Sequence, residues 1–296
     1  MKLSSNAKST LIILGLASAA LLGILAMVYP LLSSLYMDSV RSQIRSQYQA
    51  EIVQSDTDQL KEIREAAQAY NHQLASGQLS LLTPEENGYF DQLSPGGSQI
   101  MAYVHIPRIQ VDLPVFHGVG TQVLDAGCGH MPQSSLPVGG DSTHAVISAH
   151  TGMASSPMFS DLPLLQPGDT FTIEVLGEIL TYEIQSSEDI RTVLPVEVQA
   201  VQIKSGQDLC TLVTCTPFGV NTHRLLVTGH RVPTSEKEIL QEETLANDVP
   251  QPSLWKEEYL NALGLGIGIL IMIPACGCVC YLFLKFHKKG RYENQP

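Results

Sequence analysis

A thiol and a guanidinium stand at opposite ends of one turn in the stretch TLVTCTPFGVNTHRLLVTGHR, residues 211–231. Thr211, Leu212, Val213 and Thr214 are β-branched or apolar and read as a strand that ends at Cys215. Pro217, Gly219 and Asn221 are turn formers, and Leu225 to Thr228 read as the returning strand behind Arg224. If the two runs pair, both side chains project from neighbouring strand ends. A cysteine attacks carbonyls as its thiolate, so it needs an imidazole near it at neutral pH. His150, at the end of the apolar run AVISAH, is the candidate. A fixed guanidinium then suits the negative charge that develops on a carbonyl oxygen under attack, and lysine, lacking the planar fork, suits it less well. A single Cys near a single Arg is otherwise a core thiol and an edge charge. The surrounding residues must decide between the two.

TLVTC at 211–215, followed by Arg224 and preceded by a strand ending in His150, resembles the signature of sortases, the cysteine transpeptidases of Gram-positive cell surfaces. The resemblance runs from about residue 100 to 231, through MAYVHIPRIQVDLPVFHG, GCGH at 127–130, SSLPVGG and GDTFTIEVLGE. It is nearest to class C, the pilus-assembling sortases, whose chains carry a membrane segment at each end. The resemblance implies an eight-stranded β-barrel with the site at strand ends. It implies Cys215, His150 and Arg224 as catalytic residues, with Thr214 and Thr216 beside the thiol on the substrate side, and neither cofactor nor metal. The reaction implied is cleavage of an LPXTG-like sorting motif after its Thr, a Cys215 thioester, and transfer to a pilin lysine amine. Other readings are a housekeeping sortase that attaches surface proteins to cell-wall precursor, a cysteine endopeptidase, and a surface scaffold without chemistry. His130 and His230 read as hydrogen-bonded structural residues, and His105 and His117 as strand or edge residues.

The elements that must position these groups are short β-rich runs broken by Pro and Gly: IMAYVHI, DLPVF, HAVISAH, DTFTIEVL, EILTYEI, TLVTC and RLLVTGH. Such a series, with little helix between, indicates a closed or nearly closed all-β barrel over 100–232. Ahead of it, 38–76 lacks Gly and Pro and reads as one or two helices. Residues 83–97 form a polar connection that completes a 38–99 segment. Class C sortases commonly carry an Asp-Pro-aromatic lid here, lying over the thiol. This chain has Thr83-Pro84-Glu85 instead, and Tyr89-Phe90-Asp91 in a different order. An open or loosely covered Cys215 is expected.

Uncharged runs at 9–37 and 259–284 are each long enough to span a bilayer, which takes about 20 residues. The 1–37 segment reads as a retained anchor, although Ala17-Ser18-Ala19 has the form of a signal-peptidase site. Basic residues sit outside both runs, at Lys2 and Lys8 and in the 285–296 tail, which places both termini in the cytoplasm and the catalytic domain outside. The whole chain has a net charge of −12, and the part between the spans, including the acidic 233–258 linker, is more acidic still. That excludes a nucleic-acid partner on electrostatic grounds. Of the six cysteines, Cys276, Cys278 and Cys280 lie in the second apolar run. Cys210 and Cys215 point to opposite faces of one strand, and a Cys128–Cys210 pair depends on the fold. Without a CxxC and partner histidines a zinc site is disfavoured.

Overall fold

The computed structural model describes residues 5–79, 81–151 and 157–235. The chain divides into two compact units, and one of them, Ser34–Ser253, contains the catalytic region. Helix α1 (Ser5–Gln54) is followed by α2 (Thr57–Ala75). The break falls where Asp56 caps α2, its carboxylate accepting from the Asp58 amide. Two short 3-10 turns, Tyr89–Asp91 and Pro95–Gly97, occupy the connection to the barrel.

The strands are β1 (Ile100–Ile106), β2 (Val111–His117), β3 (Cys128–His130), β4 (Thr143–Ser148), β5 (Thr170–Val175), β6 (Glu178–Glu183), β7 (Ile190–Val193), β8 (Asp208–Thr216) and β9 (His223–Val232), with the short helix α3 (Thr121–Ala126) between β2 and β3. Strand β6 pairs with both β5 and β9, so eight strands close in the order β1-β2-β3-β4-β8-β9-β6-β5. The ninth, β7, pairs with β9 only, beyond the point where β6 leaves that edge. The expected eight-stranded barrel is therefore present. The β2–β3 and β4–β8 pairs are parallel.

Strand alternation separates two faces. Ala145, Ile147 and Ala149, with Cys210, Leu212, Leu225 and Val227, belong to the main core. Their neighbours Val146, Val213 and Leu226 form a second apolar cluster on the opposite face, covered by Val198. Glycine is required where β3 enters: a Cβ on Gly127 would lie 2.7 Å from the Pro114 carbonyl oxygen, and one on Gly129 would collide with that of Gly118. This close approach of β3 to β2 accounts for the two glycines of GCGH.

The helical segment packs on the barrel. Arg45 of α1 bonds Asp112 at 2.5 Å and Glu174 at 2.9 Å and lies 4.8 Å from the centre of the Tyr103 ring. Asn71 of α2 takes both backbone groups of Leu136, its amide donating to the carbonyl at 3.0 Å and its oxygen accepting from the N–H at 2.7 Å. The expected membrane helix at each end finds no support. No helix among the described residues is long and apolar enough to cross a membrane, and the 259–284 run lies outside the described residues. Cys276, Cys278 and Cys280 lie outside them too. Cys128, Cys210 and Cys215 are free thiols, so Cys128 and Cys210 do not pair.

Candidate active site

Cys215 and Arg224 are direct partners in the antiparallel β8–β9 register. Side chains so opposed share a face, with Cβ atoms about 5 Å apart. Two bonds bring the end of β4 alongside: the Ala149 amide donates to the Val213 carbonyl at 3.1 Å, and the Thr214 hydroxyl donates to the Ala149 carbonyl at 2.9 Å. Ala149 is buried in the core, so the next residue, His150, falls on the opposite face. Its carbonyl accepts from the Phe159 amide at 3.0 Å. By the same alternation, Cys215 and Arg224 share the face of Val213 and Leu226. The site thus lies at these strand ends on the outer face of the β4–β8–β9 sheet, one step beyond the Val146–Val213–Leu226 cluster.

This placement leaves the thiol half-buried. Thr214, by contrast, is buried, its hydroxyl turned to Ala149, whereas Thr216 is half-buried beside Cys215. Arg224 Nη1 donates to the carbonyls of Asn221 at 3.1 Å and His223 at 2.9 Å, which braces the guanidinium against its own turn. His150 Nε2 is 3.5 Å from Asp125 Oδ1 in α3, a partner that the sequence reading does not anticipate. Exposed apolar side chains rim the site: Phe218 and Val220 on the β8–β9 turn, and Leu194 and Val196 just after Val193, which pairs with Arg224.

Four other histidines are held by hydrogen-bonding partners. His130 is fully buried: Nδ1 is 2.9 Å from the Tyr89 hydroxyl and Nε2 is 2.8 Å from the Ser135 carbonyl. Burial lowers its pKa to about 4. His230 is 3.1 Å from Asp189, and His117 is 2.7 Å from the Gln92 carbonyl. His144 bridges the Gln202 carbonyl at 2.8 Å and the Thr211 hydroxyl at 2.7 Å. Burial also pushes the Cys128 and Cys210 thiols up, away from the reactive thiolate.

Tyr89 and Phe90 pack against His117, and Tyr89 also stacks on His130. His130 pairs with Ile147, which pairs with Leu212, so this contact sits three residues short of Cys215 along β8, about 10 Å away in the strand direction. The connection is tied to the strands well below the thiol. Among the described residues no group of acids, histidines and cysteines has the makings of a metal site.

An outer-face Cys, an opposed Arg and a His on the neighbouring strand end define a recognisable arrangement. Residues 104–232 match the sortase domain family. A sortase C1 of Streptococcus agalactiae is 43% identical, with a TM-score of 0.60 over 65% of this chain and 100% of that one. The chain belongs to the sortase family.

Among other relatives of this sortase, sortase C of Streptococcus pneumoniae is 35% identical, with a TM-score of 0.56 over 65% of this chain and 97% of that one. Sortase A of Streptococcus agalactiae serotype III is 30% identical over 141 residues, which cover 46% of this chain and 55% of that protein. The chain thus spans about half the length of the first curated relatives that it matches. Both of these Streptococcus structures are sortases C, and a sortase A of Corynebacterium diphtheriae, 36% identical with a TM-score of 0.55 over 62% of this chain and 100% of that one, is a structural neighbour as well.

Proposed function

We propose that this sortase is a cysteine transpeptidase of the cell surface that cleaves an LPXTG-like sorting motif after its Thr and transfers the new C-terminus to a lysine amine of a pilin. The observation that carries this reading is the direct register of Cys215 and Arg224 on an accessible face, with His150 brought alongside by the Ala149–Val213 and Thr214–Ala149 bonds. Likeness to class C sortases favours a pilin as the substrate.

In the first half-reaction the Cys215 thiolate attacks the carbonyl carbon of the motif Thr. The oxygen becomes an oxyanion, which Arg224 stabilises. Collapse breaks the C–N bond, His150 protonates the departing amine, and a thioester remains on Cys215. In the second half-reaction an acceptor amine attacks the thioester carbon and the C–S bond breaks. The thiolate leaves, and His150 takes a proton from the new amide nitrogen. Thr216 flanks the thiol on the substrate side, and Thr214 acts from beneath by holding the chain that leads into His150. Leu194, Val196, Phe218 and Val220 offer apolar contact for the Leu-Pro portion of the motif.

The apolar runs at 9–37 and 259–284, with basic residues outside both, favour a domain held outside the membrane at two points. Kinship to a sortase A supports a second reading in which cell-wall precursor supplies the acceptor amine. Incubation with a sorting-motif peptide, with and without a lysine-bearing acceptor, separates these readings. An amine-dependent conjugate with the pilin lysine is expected. Conjugation only with a wall-precursor amine would indicate the housekeeping role, and hydrolysis alone would indicate a peptidase.

A further inference from the structure

Asp125 lies at the end of α3, an element with no other part in the chemistry described above. Its Oδ1 is 3.5 Å from His150 Nε2, and the two side chains are 57% and 33% exposed. The carboxylate is not placed by chance flexibility. Gly127, two residues on, has no room for a side chain against Pro114, and the Gly127 amide donates to the Val123 carbonyl at 3.0 Å, closing the turn that carries Asp125. His150 is fixed independently, through Ala149 and Phe159. Two separately braced backbones thus bring a carboxylate to one nitrogen of the imidazole.

We infer that Asp125 is a positioning residue for His150: it accepts a hydrogen bond from Nε2–H and so leaves Nδ1 to exchange protons with the reacting groups. This rests on the transpeptidase reading for the identity of the reaction, but not for the contact itself. An imidazole that passes a proton between a thiol and an amine must present one defined nitrogen, and a hydrogen bond at the other nitrogen selects the tautomer and fixes the ring plane. Catalytic hydrogen bonds are commonly longer before substrate arrives, so a 3.5 Å separation is consistent with a bond that shortens during turnover. Both groups are partly solvated, so the contribution is smaller than that of a buried triad acid.

The test compares Asp125→Ala, Asp125→Asn and wild type. Asn keeps an acceptor oxygen without the charge. Asp125→Ala is expected to lower kcat for cleavage of a sorting-motif peptide about tenfold, less than the roughly 10²–10⁴ that a general acid–base group itself contributes because Asp125 acts only through His150, with KM unchanged. Asp125→Asn is expected to recover at least half of the lost rate. A kcat for Asp125→Ala equal to wild type overturns the inference, as does a loss that Asn does not relieve or one expressed in KM. The rate of Cys215 alkylation by iodoacetamide, a neutral reagent, gives a readout independent of the peptide. It should fall in Asp125→Ala and recover in Asp125→Asn. If wild type cleaves no sorting peptide, the transpeptidase reading fails, and the alkylation series alone decides the role of Asp125.

Discussion

Replacing Arg224 by lysine keeps the charge and removes the geometry. Arg224 Nη1 is committed to the carbonyls of Asn221 and His223, at 3.1 and 2.9 Å, so the guanidinium braces its turn with one arm, and on the proposed mechanism Nη2 and Nε serve the oxyanion. A lysine ammonium has three donors on one atom and cannot serve both directions. Losing one oxyanion donor costs a factor of about 10² to 10³ in kcat, or about 2.7–4 kcal/mol. Arg224→Lys should therefore lose at least about 10² in kcat, and Arg224→Ala somewhat more. KM for the sorting peptide should change little, because the interaction strengthens only as negative charge develops. The assay is steady-state cleavage of a fluorogenic sorting-motif peptide, with alkylation of Cys215 as a check that the thiol is intact. An Arg224→Lys enzyme within about threefold of wild type, or a loss confined to KM, would refute the assignment.

Asn71→Leu removes both bonds to Leu136 and leaves its buried N–H without that partner, so the folded state should lose about 2–3 kcal/mol in chemical denaturation, and a loss below about 0.5 kcal/mol would mean that α2 does not clamp the barrel there. His130 is held neutral in the fold, its pKa lowered to about 4, whereas an unfolded chain takes up the proton near 6.5, so stability should fall as pH drops through that window, by about 1.4 kcal/mol per unit, and His130→Gln should flatten the slope. Phe90→Ala should leave the alkylation rate of Cys215 within about twofold of wild type, because the aromatic pair is tied to His117 well below the thiol; a rise beyond tenfold, worth about 1.4 kcal/mol of closure, would make Phe90 a lid.

The strands legible in the sequence were those with dense β-branched and apolar residues. β1 lies where IMAYVHI places it, β4 stops at Ser148, two residues before the end of HAVISAH, and β8 contains TLVTC within the longer run Asp208–Thr216. β3 and β7 were not legible, because CGH and IRTV are too short and too mixed to show alternation; pairing to neighbours already in place defines them. The break between α1 and α2 has a local cause in the Asp56 cap. The packing of both helices on the barrel does not, since Arg45 and Asn71 reach residues far away in sequence. At the site, a Cys and an Arg nine apart around a turn foretold the register, whereas His150 sits two residues past the end of β4 rather than on it. Whether these groups face the interior or the outside depends on which side the core occupies, and that is a property of the closed sheet. Asp125 was illegible for a similar reason: its proximity to His150 follows from parallel β2–β3 pairing and the turn of α3, for which the sequence offers no signal beyond the glycines that flank β3.

If Cys215 is the nucleophile, it and no other thiol takes the acyl group. Mixing the protein with a sorting-motif peptide in the absence of an acceptor amine, quenching in acid and measuring intact and peptide-mapped mass addresses it directly. One added acyl fragment ending at the motif Thr is expected, located on Cys215, retained in Cys128→Ala and Cys210→Ala and absent from Cys215→Ala. An adduct that persists in Cys215→Ala, or one that maps to Cys128 or Cys210, would contradict it.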